Sequence, residues 1–286
     1  MKLEDLKDYK LVWSDEFDGN EIDPKKWCFN DWMGVTKKDG KITYDVATDE
    51  RVAKVENGSL QLNVYYDEER DCFVGPVSLT TKETMSFVYG YLEMRARVPY
   101  THGSWASFWA VGSGALNARP DAPYFAEVDF FEIEGGDHVA ISNLHKWHYI
   151  KSGFVKEGQG RNDCVRWGKL PEETRVANYT PEDTEGFNLY KFYWTPEKME
   201  VYVNDDLIGR FDINADFGRP SGTDGFHHPL FIIFNNYLEV PGVFWGSDAP
   251  TARVTPEDVK TQIPYEIDYI RLYQKDGEGE LNLAQE

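Results

Sequence analysis

The chain has 286 residues, a formal net charge of -20 at pH 7 and 15% aromatic residues. A strongly negative surface repels phosphate backbones and anionic lipids, so the charge disfavours nucleic acids and membranes as partners and favours neutral or cationic ones. The same acidity also fits a role in solubility alone. All-β domains reach this length as single units, so we expect one domain over residues 1–286.

The N-terminal segment, residues 1–8, is charged and no apolar run follows it, so the sequence as written predicts neither a secretory signal nor a transmembrane segment. Two compartments stay open, because the chain is either cytoplasmic as written or secreted without its leader. Cys28, Cys72 and Cys164 are widely spaced and odd in number, which favours free thiols over a disulfide framework or a zinc site.

Short stretches rich in β-branched and aromatic residues alternate with turn clusters along the whole chain, without a long amphipathic helix. Asn204, Asp205 and Asp206 predict a hairpin turn, because Asn and Asp tolerate positive φ. Segments 150–187 and 241–262 lack periodicity and are predicted to be loops at one rim. The strands predicted from this pattern are 59–65, 87–98, 107–111, 125–133, 139–145, 189–195, 199–203, 207–213, 230–235 and 265–274.

Many strands without βαβ alternation predict an all-β fold, a two-sheet antiparallel β-sandwich. One predicted strand is unusual, because Glu127, Asp129 and Glu132 interrupt an otherwise apolar run. In a regular pleat Glu132 would point to the opposite face from the other two acids, into the core, where an unpaired charge is costly. We therefore predict a one-residue bulge near Phe130 or Phe131, which turns all three acids to one face.

The sheet must also be curved, because about four strand steps of ~3.3 Å leave the two Glu Cα atoms roughly 13 Å apart. Three acids crowded on one face cannot all ionise freely, since like charges raise at least one pKa. Two other interpretations are open: protective charges on an edge strand, and ligands of calcium or magnesium. The flanking Phe130 and Phe131 favour a central strand, and a linear metal loop would need Gly and Asn between the acids.

The segment from Glu127 to Glu132 resembles the signature of glycoside hydrolase family 16, which is Glu, an aliphatic residue, Asp, two apolar residues and Glu. Residues 11–17, 89–97 and 266–273 are similar to the family's opening segment, the strand before its site and its closing strand. The resemblance implies a concanavalin-like jelly roll with a concave substrate cleft. It also implies that Glu127 is the nucleophile, that Asp129 orients it and that Glu132 is the acid/base.

The activity implied is that of a retaining endo-glycosidase acting on a polysaccharide or oligosaccharide, first a β-1,3-glucan, as a monomer. An endo-hydrolase of a β-galactan or host glycan of the agar, porphyran or mucin type is the alternative substrate interpretation. A non-catalytic sugar-binding jelly roll is the competing class, because a fold does not fix a function. Net glycosyl transfer instead of hydrolysis is a third alternative.

Further residues enter through the same resemblance. Trp105 and Trp109 are similar to family residues that stack on sugars, and His145 matches a position that reaches the cleft. A buried core Trp and a structural His are the competing interpretations. The chemistry would need no cofactor.

A structural calcium would be held by carbonyl oxygens near Glu16 and Gly58 together with the Asp268 side chain. Alternatively, Asp268 only caps or pairs a strand end. The chain also departs from the family. Ser78 stands where many members carry Arg, and segment 230–240 lacks the Gly-Gly pair of many β-1,3-glucanases. Both changes weaken a prediction of laminarin specificity, while the extra residue in the motif disfavours the lichenase and xyloglucan transferase branches.

Overall fold

In the computed structural model every regular element of the described residues is a β-strand, and the all-β prediction is confirmed. Within this part of the chain no helix is long and apolar enough to cross a membrane. One domain over residues 1–286 stays a prediction. The described residues are 6–29, 35–37, 42–43, 51–74, 77–100, 104–112, 114–118, 124–134, 139–148, 179–213, 226–238 and 254–285.

The described strands are numbered in chain order. They are β1 (Tyr9–Asp15), β2 (Cys28–Phe29), β3 (Val35–Lys37), β4 (Ile42–Thr43), β5 (Ala53–Glu56), β6 (Ser59–Asp67), β7 (Cys72–Val74), β8 (Val77–Thr80), β9 (Met85–Val88), β10 (Gly90–Arg97), β11 (Ser104–Val111), β12 (Tyr124–Glu134), β13 (Val139–His148), β14 (Asn188–Trp194), β15 (Lys198–Val203), β16 (Asp206–Asp212), β17 (Phe231–Leu238), β18 (Ile263–Lys275) and β19 (Glu280–Leu283).

Two large antiparallel sheets make up the sandwich. The 11-stranded sheet has the order β16-β15-β14-β10-β18-β6-β7-β3-β4, and β1 and β5 pair with β18 and β6. The 6-stranded sheet has the order β13-β12-β11-β17-β8-β2, and β19 pairs with β9 in a separate 2-stranded sheet. Strands β12 and β11 therefore lie inside the smaller sheet, not at its edge, which excludes the edge-strand interpretation of the acids.

The core lies between the two large sheets and is rich in aromatic rings. Phe130 of β12 packs on Phe192 of β14 with ring centroids 4.2 Å apart, and Phe131 packs on Tyr190 at 4.4 Å. These contacts join the smaller sheet to the larger one, and all four side chains are at most 2% exposed. They confirm the predicted two-sheet sandwich.

The predicted strand 87–98 is wrong as a single element. Tyr89 and Gly90 have φ values of 55° and 137°, so the backbone breaks between β9 and β10. A Cβ at position 90 would lie 2.7 Å from the carbonyl oxygen of Tyr273, so only glycine fits at this crossing. Strand β9 pairs with β19, whereas β10 continues into the 11-stranded sheet.

The predicted hairpin is confirmed between β15 and β16. Val203 pairs with Asp206, and Asn204 has a φ of 54°, so Asn204 and Asp205 form the turn. Of the predicted loops, residues 150–178 and 241–253 lie outside the described residues, and the remaining parts contain no strand. Cys28 and Cys72 are thiols that form no disulfide bond, as predicted, and Cys164 lies outside the described residues.

Candidate active site

The bulge predicted near Phe130 and Phe131 is present in β12. On the side of β11, Phe108 pairs with Phe131 and Trp109 pairs with Asp129, so Phe130 is the extra residue. One residue more on β12 than on its neighbour shifts the alternation of side chains by one position. This confirms the bulge that the sequence required.

The other neighbour, β13, shows the same irregularity. Asp129 pairs with Asn143 and Glu132 pairs with Ile141, so two residues of β12 lie opposite the single residue Ser142. The Ser142 hydroxyl donates a hydrogen bond to the carbonyl oxygen of Asp129 at 2.8 Å. The contact stabilises the backbone where the ladder is interrupted, because a buried carbonyl needs a donor.

The bulge turns two consecutive phenylalanines toward the core. Phe130 and Phe131 are each 1% exposed, and full burial of such a side chain contributes roughly 2–3 kcal/mol. In a regular strand one of them would face outward. Because both face inward, Glu132 shares the outer face of the smaller sheet with Glu127 and Asp129. We call this face, which carries the three acids, the acidic face.

Both predicted tryptophans lie on the acidic face, in a strand whose register with β17 is unbroken. The Trp105 indole N–H donates to Oε1 of Glu132 at 3.2 Å, and the Trp109 indole N–H donates to Oδ1 of Asn235 at 2.6 Å. Trp109 is 9% exposed and packs in an apolar cluster separate from the main core. The structure therefore places Trp105, more than Trp109, beside the acids with part of its ring exposed.

His145 is part of the acidic cluster. It pairs directly opposite Glu127 in the ladder between β12 and β13, and its Nε2 lies 2.9 Å from Oδ2 of Asp129. One ligand atom from each of Glu127, Asp129 and His145 lies within 4.8 Å of the others. Asp129 is 3% exposed, so its carboxylate sits at the buried side of the cluster.

Sequence reasoning missed three polar residues of the acidic face. Ser107 pairs with Glu132 on one side and with Asn235 of β17 on the other. Tyr237 pairs with Trp105 on the same strand pair. Burial, followed by the negative charges of Glu132 and Glu127, raises the pKa of the Tyr237 phenol well above its ordinary value. The register between β17 and β11 places these groups on the acidic face, and no local sequence pattern predicts that register.

Ser78 also lies on this face, because it pairs opposite Asn235. The Ser78 hydroxyl and the Asn235 amide nitrogen are buried and have no hydrogen-bond partner among the described residues. The position at which the sequence departs from the family is therefore one strand further from the acids than Asn235.

The predicted calcium ligands surround a gap in the larger sheet. Strand β1 reaches Ile270 and β6 begins opposite Ile267, on the same edge of β18, because β10 occupies the other edge. Asp268 lies in this gap, which Glu16 and Gly58 flank. Oxygen donors from backbone and carboxylate are the ligands that calcium takes.

Two ion pairs occupy the side chains near the gap. Arg95 contacts Oδ2 of Asp268 at 2.6 Å, and Arg271 forms a two-pronged pair with Glu16 that lowers the pKa of that carboxyl group. The carboxylates of Asp268 and Glu16 are therefore already partly neutralised by guanidinium groups, and a calcium ion in the gap stays a prediction.

An antiparallel sandwich with two glutamates and an aspartate on one face is the arrangement of a glycoside hydrolase, in which two carboxyl groups flank the scissile bond. The chain belongs to the glycosyl hydrolases family 16, whose sequence profile matches residues 41–223. The family predicted from the sequence is thereby confirmed.

Individual relatives are distant. The chain is 26% identical to a beta-glucanase of Rhodothermus marinus, over 93% of this chain and 85% of that protein. It is also 26% identical to a keratan-sulfate endo-1,4-beta-galactosidase of Sphingobacterium multivorum, over 93% of this chain but only 56% of that protein. The catalytic domain of an endo-1,3-beta-glucanase (laminarinase) from Thermotoga petrophila superposes with a TM-score of 0.62 at 25% identity, over 94% of this chain and 99% of that one.

Deleting Phe130 tests the bulge. Without the extra residue β12 alternates regularly through Asp129, Phe131 and Glu132, so Glu132 should stay on the acidic face and hydrolysis should be retained, while the loss of a buried phenylalanine should lower stability. The control is Phe130→Leu, which keeps the residue count and should keep most of the activity at a stability loss of about 1 kcal/mol. Circular dichroism and thermal melting report folding, and a folded deletion variant without activity would contradict this account of the alternation in β12.

Proposed function

We propose that the protein is a retaining endo-glycosidase in which Glu127 is the nucleophile, Asp129 its orienting residue and Glu132 the acid/base. The observation that supports this is the bulge at Phe130, which puts all three acids on one face of a central strand. The packing of the described core does not by itself require acidic residues at these three positions of β12. Retaining enzymes need two carboxyl groups about 5–5.5 Å apart on opposite sides of the scissile bond.

The reaction has two steps. Glu132 donates a proton to the glycosidic oxygen as the bond to the anomeric carbon breaks, and the Glu127 carboxylate attacks that carbon. The product is a covalent glycosyl-enzyme. Glu132, now a carboxylate, then removes a proton from water, which displaces Glu127 and restores the original anomeric configuration.

Neighbouring groups prepare the acids for these roles. Trp105 donates a hydrogen bond to Glu132, which fixes the rotamer of the acid/base. Its indole ring is partly exposed and can stack on the apolar face of a sugar. Asp129 lies two residues from Glu127 on the same face, and its Oδ2 lies 2.9 Å from Nε2 of His145. The chemistry uses only these side chains and water.

A β-1,3-glucan is the proposed substrate. The Rhodothermus relative is a beta-glucanase that matches along 93% of this chain. The acidic surface suits a neutral glucan, because a charged polysaccharide such as a sulfated galactan would be repelled. The galactan alternative is supported by the Sphingobacterium relative, a galactosidase that matches along 93% of this chain.

Digestion of a glycan panel tests the substrate. Laminarin, lichenan, agarose, porphyran, carrageenan and mucin glycans are incubated with the protein and with Glu127→Gln as the inactive control. We expect laminarin to give oligosaccharides of several lengths from the first minutes, as internal cleavage does. Release of products only from a galactan or mucin would replace the glucan proposal. Binding of a glycan without release of any reducing ends would favour a sugar-binding protein.

Azide rescue tests the role of each glutamate. We expect Glu127→Ala and Glu132→Ala to lower turnover of an aryl β-oligosaccharide by at least about 10²–10⁴-fold. In Glu127→Ala, azide attacks the anomeric carbon once and gives the α-glycosyl azide. In Glu132→Ala, Glu127 attacks first and azide second, which gives the β-glycosyl azide. NMR distinguishes the two anomers.

The matched control for both variants is Glu56→Ala, which removes an exposed glutamate of the other sheet and should keep full turnover. The same azide anomer from both variants would contradict the assignment of roles. Full turnover in either variant would overturn it.

A structural calcium in the gap beside Asp268 remains a proposal, with a role in stability. An ion present at about 100 times its dissociation constant should stabilise the fold by about 2.7 kcal/mol. We expect calcium to raise the melting temperature relative to chelator, and Asp268→Asn to abolish the rise. Arg95→Met removes the same ion pair but keeps the carboxylate, so it should keep the rise. An equal melting temperature with calcium and with chelator would exclude the site.

A further inference from the structure

We propose that Glu127, Asp129 and His145 form a binding site for a divalent transition metal such as zinc, which blocks the enzyme when it is occupied. The site would be inhibitory and separate from the calcium gap. The inhibition depends on the proposed function, in which Glu127 is the nucleophile, whereas the metal binding does not depend on it.

The three side chains come together through cross-strand pairing. Glu127 and His145 are direct partners of β12 and β13, and Asp129 lies two residues further along the same face. Their ligand atoms lie within 4.8 Å of one another. Among the described residues, these three form the group of His, Cys, Asp or Glu side chains close enough together to hold a metal ion. Two carboxylates and an imidazole are a donor set that suits zinc.

The contact between His145 and Asp129 is close to the spacing of two ligands on one ion. Their Nε2 and Oδ2 atoms are 2.9 Å apart, and two ligands each about 2.0–2.2 Å from a tetrahedral zinc are about 3.3–3.6 Å apart, so the pair has to separate by about 0.5 Å. Glu127 has to move its carboxylate by about 1 Å or more to complete such a shell, which a side-chain rotation provides.

Asp129 supplies an independent indication. Its Oδ2 atom is buried and accepts no hydrogen bond from the described residues, although Nε2 of His145 is near. The two atoms thus meet the distance of a hydrogen bond without its direction. A buried carboxylate oxygen without a donor is costly, and a cation bound between it and the imidazole removes that cost.

Access and charge favour a cation here. Glu127 and His145 are partly exposed to solvent, whereas Asp129 is buried on the inner side of the site. The net charge of -20 raises the local concentration of cations. Three protein ligands would leave a fourth position open toward solvent, as in zinc sites that carry a water. A metal held there coordinates the nucleophile and stands where the sugar ring must bind.

Calorimetric titration of the full chain with zinc chloride tests the binding, and hydrolysis of the panel glycan with added zinc tests the inhibition. We expect one binding site per chain, and inhibition that substrate relieves. His145→Ala removes a ligand, so it should weaken zinc binding at least about 10-fold, since the loss of even an outer partner of a metal ligand costs that much. Magnesium, which prefers oxygen ligands, should not inhibit.

The matched control is His227→Gln. His227 contacts the Tyr89 hydroxyl at 3.0 Å, away from the three acids, so its loss should leave zinc binding unchanged. Equal zinc affinity of the wild type and His145→Ala, or no binding at submillimolar zinc, would overturn the proposal. If the protein binds zinc through His145 but cleaves no glycan, the proposed function fails and the metal site stands.

Discussion

Burial of two consecutive phenylalanines is the constraint on which the rest of the site depends. Phe130 and Phe131 both pack against β14 in the core, so β12 must carry one residue more than its neighbours. Hydrophobic burial of the pair outweighs the cost of the ladder hydrogen bonds that the bulge interrupts. The same shift delivers Glu132 to the face that already carries Glu127 and Asp129. The single bulge in β12 thus affects both the packing of the core and the placement of the three acids on one face.

The acids then need neighbours that keep them ordered on a crowded face. Trp105 and His145 come from the strands on either side of β12, and each contacts a different acid. Burial and the two glutamates raise the pKa of the Tyr237 phenol, which lies one strand further away. Strand pairing, and not the sequence around the motif, therefore determines the electrostatic surroundings of the three acids.

The proposed nucleophile and the proposed metal site share side chains because the requirements of a nucleophile and of a metal ligand overlap. An anionic carboxylate held close to a second carboxylate and an imidazole is a good attacking group, and the same atoms make a good shell for zinc. In the larger sheet, the positive charge of Arg95 already partly neutralises the Asp268 carboxylate beside the gap. The two regions lie on different sheets.

The sequence by itself determined the all-β class, the hairpin at Asn204, the three acids and the need for a bulge, because alternation and turn chemistry are local properties. It did not show the break at Tyr89 and Gly90, which depends on the close approach of Tyr273. Nor did it show Asn235 beside Trp109 or His145 beside Asp129. Only the tertiary structure decided these contacts, because the pairing of strands distant in sequence follows from the packing of whole sheets.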